Sequence, residues 1–353
     1  MRRFVHKYDD IITIEKLLQA WQEFLHDKRN RKDVILFQVK LMDNIFDLYN
    51  DLKNITYKHG DYQAFKINDP KPRDIHKATV RDRLLHHLIY QELYAYFDSK
   101  FIYDLYSCRF GKGTYKAINR FRSMALVVSK NNTKTCYVLK GDIRKFFANI
   151  DHEILKSILQ KYIQDKNILW LLGQVIDSFH TNTHLRYSVD VLNDQMSKNF
   201  AIAENFDTGL PLGNLTSQLL VNIYMNEFDQ FVKRELKVKY YARYADDFLV
   251  LSQDKKYLEN ILERMEEFLE NNLKLKMHPD KVFIKTIYVG VDFLGWIHFP
   301  YYRVLRTSTK RRMLKNLENN DKKEVIASYL GMLKHGNSYK LKLKNKIGFL
   351  EKI

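Results

Sequence analysis

The sequence predicts an α+β fold built around a split βαβ sheet with helices on one face. Three observations predict it. A strand signal, "TCYVLKGDI", ends on Asp142; a hairpin signal, "YYARYADDFLVLS", carries Asp246 and Asp247; and stretches of helical periodicity separate the two and follow them. At 353 residues, with 45% hydrophobic and 14% aromatic residues, the chain is long enough to bury a substantial core and to divide into two or three lobes.

Each element follows from local pattern. Residues 8–58 read as mostly helical, and "TIEKLLQAWQEFL" places apolar residues at helical spacing. Further helices are predicted from about Arg81 to Phe97 and from Tyr115 to Ser129, ahead of the strand that ends on Asp142. Asp151 opens another helix, with Ile154, Leu155 and Ile158 on one face. After an irregular stretch, a helix from about Thr216 to Leu236 leads into the strand Tyr240–Tyr244. The chain is expected to reverse at Asp246 and Asp247 and to continue as "FLVLS", then as the amphipathic helix "YLENILERMEEFLENNL", then as extended "LKMHPDKVFIK". In a split βαβ arrangement the first strand neighbours the hairpin, which would set Asp142 beside Asp246.

Composition narrows the partners. Lysine and arginine number 59 against 42 acidic residues, so the surrounding field attracts polyanions, of which nucleic acid is the commonest. In "KPRDIHKATVRDRLLHHL" and "SCRFGKGTYKAINRFR" the basic groups are interleaved with apolar positions and glycines, as suits contact with a phosphate backbone. No secretory h-region opens the chain and no apolar run is long enough to span a bilayer, so a soluble, cytoplasmic protein is expected. Cys108 and Cys136 give neither a disulfide framework nor a zinc pattern.

An Asp-Asp pair at a hairpin tip is ordinarily turn chemistry. Three carboxylates converging at one sheet edge are different, because each raises the others' pKa unless a cation neutralises them. Magnesium suits such a place, since it prefers oxygen ligands and is shared between carboxylates and substrate phosphates. Two ions roughly 3.5–4 Å apart would serve an in-line displacement in which a 3′-hydroxyl attacks and pyrophosphate departs. The chemistry expected is nucleotidyl transfer.

The motifs around these carboxylates resemble those of reverse transcriptases. "YADD" looks like that family's active-site motif and "LKGDIRKFFANIDHEIL" like its first carboxylate motif. "GLPLGNLTSQLLVNIYMNEFDQF" is similar to the template- and nucleotide-contacting motif between them, and "HPDKVFIK" and "VDFLGWIHF" to the two that follow. Upstream, "PKPRDIHKATVRDRLLHHLI" and "YSCRFGKGTYKAINRF" look like fingers motifs of bacterial reverse transcriptases. The resemblance implies a right-hand polymerase, with a helical N-terminal extension over 1–60, fingers over 61–134 and a palm over 135–300. A fingers-like insertion would occupy about 165–212 and a small helical thumb 301–353.

Roles follow by resemblance. Asp142, Asp246 and Asp247 would hold two magnesium ions, with manganese as a possible substitute, and Lys281 would protonate pyrophosphate. Phe147, five residues after Asp142, would lie under the incoming sugar and exclude a ribose 2′-OH; out of that context it would be a core residue. Lys71, Arg73 and Arg81 would grip the triphosphate, for which the arginine fork is well shaped. Leu212, Gly213 and Gln218 would contact the nucleotide, and Ser217 the primer-template, although a serine at a helix start is ordinarily a cap. Arg109, Gly111 and Gly113 would approach the template, and Leu294 with Gly295 would contact the template or primer.

"LGNLTSQ", "FHTN" and "SYLGMLKHGNSYKL" are similar to segments of reverse transcriptases from diversity-generating retroelements. That subtype implies copying of a dedicated RNA with errors opposite adenines, for mutagenic retrohoming, with a small basic oligomeric accessory protein as partner. Two other readings stay open: a defence-associated reverse transcriptase using a structured RNA, and a non-catalytic RNA-binding scaffold. No Cys/His nuclease cluster or ribonuclease H pattern follows "FLGW", so cutting of the DNA target by this chain is not expected.

Overall fold

The computed structural model describes residues 3–68, 72–181, 207–319 and 322–338. Lys71, residues 182–206 of the expected insertion and the last residues of the expected thumb lie outside the described residues.

The N-terminal region forms α1 (Tyr8–Ile11), α2 (Ile14–Phe24), α3 (Lys32–Val39) and α4 (Leu41–Lys53). The Thr13 hydroxyl accepts from the Lys16 N–H and so caps α2, whose Leu17, Ala20, Trp21 and Phe24 recur at helical spacing and are all buried. An exposed hairpin follows, β1 (Gln63–Ile67) against β2 (Arg73–Lys77). Next come α5 (Val80–Asp98), capped by Thr79, then α6 (Thr114–Val128) and β3 (Tyr137–Gly141). After a 3-10 turn at Phe146–Asn149, α7 (His152–Tyr162) is capped by Asp151 as expected. Its buried face runs through His152, Leu155, Leu159 and Tyr162, while Ile154 is only half-buried.

Then come α8 (Lys166–Ile176) and α9 (Leu215–Gln230). The sequence predicts α9 to run on to Leu236; instead the helix widens into a π turn at Phe231–Glu235. The hairpin β4 (Tyr241–Tyr244) and β5 (Asp247–Ser252) precedes α10 (Lys255–Leu273) and β6 (Phe283–Thr286). A three-stranded sheet of β7 (Val291–Phe293), β8 (Trp296–His298) and β9 (Arg303–Leu305) leads to α11 (Thr307–Glu318) and α12 (Lys323–Leu333).

These elements fall into two compact units. The first comprises Met1–Ile102, Arg144–Phe231 and Glu267–Lys276. In it α5 packs on α2, α3 and α9, and α7 packs on α8 and α9. Buried hydroxyls fasten distant segments: Tyr8 donates to the Leu52 carbonyl and Tyr224 to that of Leu273, each at 2.7 Å.

The second unit comprises Tyr103–Ile143, Val232–Glu266 and Met277–Ile353. It holds a wholly antiparallel sheet of order β4-β5-β3-β6. Because β3, the first of these four strands in the chain, lies between β5, the second hairpin strand, and β6, the last of the four, this is the order of the split βαβ arrangement. Val138, Ala242, Leu249 and Leu251 of the sheet share a core with Ile118, Phe121 and Met124 of α6 and with Phe293, Trp296 and Met313. Each such fully buried large apolar side chain stabilises the fold by about 1.5–3 kcal/mol.

Gly141 is set into this sheet by close approach: a Cβ there would stand 2.0 Å from Cζ of Phe248, its partner on β5. The strand must therefore carry glycine immediately before Asp142. Among the described residues, no helix is long and apolar enough to cross a membrane.

Candidate active site

The sheet fixes the carboxylates through its register. Tyr244 pairs with Asp247, so the reversal falls on Ala245 and Asp246 and not, as the sequence suggests, on the two aspartates. Asp247 already belongs to β5. Ala245 has a φ of 54° and Asp246 does not have positive φ, which is the pattern of a type II′ turn. Alanine in that region is costly without support. The support is visible: the Ala245 N–H donates to Ser107 Oγ at 2.9 Å, and the guanidinium of the fully buried Arg243 donates to the Ala245 carbonyl at 2.9 Å.

Asp142 follows β3 directly and is 6% exposed. Its carbonyl accepts from the His278 N–H at 2.7 Å, which ties the segment ahead of β6 to the end of β3. A turn from His278 to Lys281 then delivers the Lys281 ammonium to within 2.7 Å of Asp142 Oδ1. Lys140, two residues before Asp142 on the strand, lies 3.1 Å from Asp247 Oδ1. That contact is an ion pair outside hydrogen-bond geometry, and the buried oxygen has no hydrogen-bond partner.

The electrostatics show the three carboxylates acting on one another. Burial, then the charges of Asp247 and Asp142, push the Asp246 carboxyl up to about 6. Burial raises Asp247 as well, against the pull of Lys140. Among the described residues no three His, Cys, Asp or Glu side chains stand in a ready-made metal-ligating arrangement, and Lys281 and Lys140 draw on Asp142 and Asp247. The donor set nevertheless fits a divalent cation: all oxygen, half-buried or deeper, with Asp246 raised by burial and by its two carboxylate neighbours.

The loop after Tyr103 is bound to the same hairpin. The Tyr106 N–H donates to the Arg243 carbonyl and the Arg243 N–H to the Asp104 carbonyl, both at 3.0 Å. Arg109, Gly111 and Gly113 sit on this loop, and Gly113, at φ 110°, opens α6. Leu294 and Gly295 form the turn between β7 and β8, where both φ values are positive; the Leu294 side chain packs on the core of this unit.

Within the other unit, a second group of expected residues comes together. The Leu210 N–H donates to the Phe147 carbonyl at 2.8 Å, and the His76 N–H to the Leu212 carbonyl at 3.2 Å. Phe147 is half-buried beside the segment that carries Leu212 and Gly213. Gly213, at φ 106°, faces Ile75 of β2, where a Cβ would come within 3.0 Å of the Ile75 Cγ2. Arg73 is exposed at the start of the same strand, paired with Ile67.

Some expectations change. Arg81 is engaged by Asp51 at 2.5 Å and lies over the Tyr57 ring, so its charge is partly committed. Ser217 is not a helix cap: α9 begins at Leu215 with Asn214 at the cap position, and Ser217 is buried in the first turn with Gln218 half-buried beside it. Asn214 spends its side-chain amide on the His76 carbonyl. Sequence reasoning also missed Lys140, Ser107 and Arg243. Lys140 shares strand parity with Asp142, a signal that could have found it; Ser107 and Arg243 meet the turn only through the fold.

A two-residue turn presenting carboxylates beside the end of a central strand defines a nucleotidyl-transferase type of centre. A family model described as reverse transcriptase (RNA-dependent DNA polymerase) matches residues 66–298, and the chain belongs to that family. It is therefore a reverse transcriptase, an RNA-dependent DNA polymerase. Protein YkfC of Escherichia coli (strain K12) is 25% identical over 317 residues, covering 78% of this chain and 76% of that protein. The putative COX1/OXI3 intron 2 protein of Saccharomyces cerevisiae is 20% identical over 318 residues, 74% of this chain. The group II intron-encoded protein LtrA of Lactococcus lactis subsp. cremoris is 25% identical over 238 residues, half of this chain. The matches span only 33% and 36% of those two intron proteins.

Proposed function

We propose that this reverse transcriptase copies a dedicated RNA template into cDNA with low fidelity at template adenines, in the manner of diversity-generating retroelements. In this reading the β4-β5-β3-β6 sheet is the palm, the β1-β2 hairpin belongs to the fingers and α11 with α12 to the thumb. The observation that carries the polymerase chemistry is the register of the sheet, which sets Asp246 and Asp247 beside the end of the strand that leads into Asp142; burial, then the charges of Asp247 and Asp142, lift Asp246 to about 6.

Asp142 and Asp246, with Asp247 as third carboxylate, would hold two magnesium ions or manganese in their place. When bound, such ions neutralise the carboxylates and the triphosphate and acidify the attacking 3′-hydroxyl. The chain's own residues do the rest. Lys281 holds a proton beside the site for the departing pyrophosphate. Arg73, with Lys71, grips the triphosphate through charge-assisted hydrogen bonds, and Arg81 joins only by leaving Asp51. Phe147 closes the space a ribose 2′-OH would need. The Arg109–Gly113 loop and Ser217 steady the template, Leu294 and Gly295 the primer end, and Gln218 the nucleotide.

Leu212 supports the low-fidelity reading. Its backbone is pinned to His76 and the adjacent Gly213 lies close against Ile75 of β2; in this reading its aliphatic side chain would lie beside the nascent pair, where an amide would otherwise hydrogen-bond. Loss of one such contact is worth ~1–3 kcal/mol of discrimination. A small basic oligomeric accessory protein and a cytoplasmic setting complete the proposal.

Primer extension on RNA with deoxynucleotides and magnesium, followed by sequencing of the product, tests it. Wild type should misincorporate opposite adenine, Leu212→Gln should do so less, and Asp246→Asn should make no product. An error spectrum even across template bases in wild type, or one unmoved by Leu212→Gln, removes the adenine-specific reading while leaving the polymerase intact.

A further inference from the structure

At the far end of the β4–β5 hairpin from Asp246 lies a groove of about 400 Å³ that the polymerase chemistry does not use. Val128 at the end of α6, Val238 before β4 and Leu251 on β5 give it an apolar floor. The Tyr240 and Tyr257 rings line it, the first half-buried and the second 37% exposed. Three exposed lysines, Lys130, Lys237 and Lys239, also line it, and the lining contains no carboxylate. Among the described residues none of the three forms an ion pair; the Lys239 ammonium instead lies 5.4 Å from the centre of the Tyr240 ring.

Three carbonyls that would oppose an anion there are already engaged. The Val128 carbonyl, at the negative end of α6, accepts from the Gln253 amide at 2.5 Å. The Val238 and Lys239 carbonyls accept from the Lys233 ammonium at 2.7 and 3.0 Å. Lys130 and Lys237 are both held at left-handed φ, 47° and 53°, in turns that glycine or asparagine would fill at lower cost. What the groove offers is therefore positive charge, two aromatic faces and an apolar floor.

We propose that this groove binds single-stranded RNA and anchors a part of the template molecule that is not being copied. Lysines contact phosphates and tyrosine rings stack on bases, the combination by which proteins hold single strands without reading sequence. Leu251 pairs with Tyr240 four residues from the Asp247–Tyr244 pair, so the groove lies about 13 Å along the hairpin from the catalytic turn. It is a second contact on the same rigid sheet, outside the reacting centre. The proposal rests on the reading that the chain acts on RNA, and goes beyond it by adding a site.

The test uses the full chain and two probes: a labelled oligouridylate, and a short pre-annealed primer–template. In the Lys130→Gln/Lys237→Gln/Lys239→Gln variant, oligouridylate affinity at low salt should fall about tenfold or more. The slope of log affinity against log salt should become shallower by about 2, from roughly 0.7 per lost phosphate contact. Extension of the short primer–template and the melting temperature should stay at wild-type levels. Ultraviolet crosslinking should join the oligonucleotide to Tyr257 in wild type and not in Tyr257→Ser.

An unchanged salt slope together with wild-type binding overturns the proposal, as does a groove that takes an acidic peptide while RNA binding is unaffected. Equal loss of short-duplex extension and of melting temperature would assign the lysines to folding and also overturn it. If wild type neither binds oligouridylate nor extends a primer, the polymerase reading fails; binding that the triple variant does not alter sinks only the groove.

Discussion

The ammonium of Lys281 stands 2.7 Å from Oδ1 of Asp142, although 139 positions separate the two in sequence. The contact exists because the segment ahead of β6 is stitched to the end of β3 by the His278 N–H and the Asp142 carbonyl. A cation-bearing side chain thus waits beside the first carboxylate. Replacing it should affect the chemical step more than substrate binding: Lys281→Met is expected to lower kcat roughly a hundredfold with little change in KM for deoxynucleotides. Steady-state kinetics on a homopolymer template measure both, and an unchanged kcat would reduce Lys281 to a surface ion pair.

Phe147 carries a specificity prediction. Trimming it to Ala should leave deoxynucleotide addition within a few-fold and raise ribonucleotide incorporation by roughly 10- to 100-fold, the range one steric contact can supply. Competition between the two nucleotide types in single-nucleotide extension reads the ratio directly. No change would return Phe147 to a packing role, which its half-buried position beside Leu210 also permits.

Gly141 gives a prediction about stability. Because a Cβ there meets the Phe248 ring, Gly141→Ala should destabilise the chain by about 1–3 kcal/mol, and Phe248→Leu should recover part of that loss in the double variant. Urea unfolding of the two single variants and the double variant closes the cycle. Strict additivity would contradict the contact.

Acid should weaken the second unit through His298. Burial, with Arg303 nearby, pushes its imidazole down to about 3, and its Nε2 is buried without a hydrogen-bond partner. The unfolded chain, with an ordinary value near 6.5, binds the proton more tightly than the folded one. Stability from this group is therefore fully present above pH 6.5 and is lost as pH falls toward 3, by roughly 2 kcal/mol at pH 5. His87, lowered to about 4 by burial and Lys28, acts in the same direction in the first unit. His298→Phe, which keeps an aromatic ring against Phe121, should flatten the dependence of the urea midpoint between pH 7 and 5.

Much of this architecture was legible in the sequence because its signals are local. Asp151 announces a helix start, apolar spacing marks α2 and α10, and the extended apolar stretches before Asp142 and after Asp247 mark β3 and β5. The pairing of Asp142 with the hairpin also followed, from element order alone. What escaped were contacts made by folding. Ser107 reads as one more serine in a loop until the Ala245 amide is found on its hydroxyl. Arg243 reads as an alternating strand residue, yet it is fully buried and turned onto its own hairpin. Ser217 shows the opposite failure: a residue type with a strong capping preference sits inside the helix because Asn214 holds the cap position.

The fastening of Tyr106 and Ser107 to the hairpin has a mechanical consequence. A segment joined to β4 by backbone hydrogen bonds and to Ala245 by a hydroxyl cannot shift without pulling on the turn that presents Asp246. In the proposed reading, where the Arg109 loop steadies the template, a damaged or bulky template base pressing on that loop would be transmitted as misalignment of the carboxylates. Stalling at lesions would then originate in the scaffold, before any mispaired nucleotide is tested.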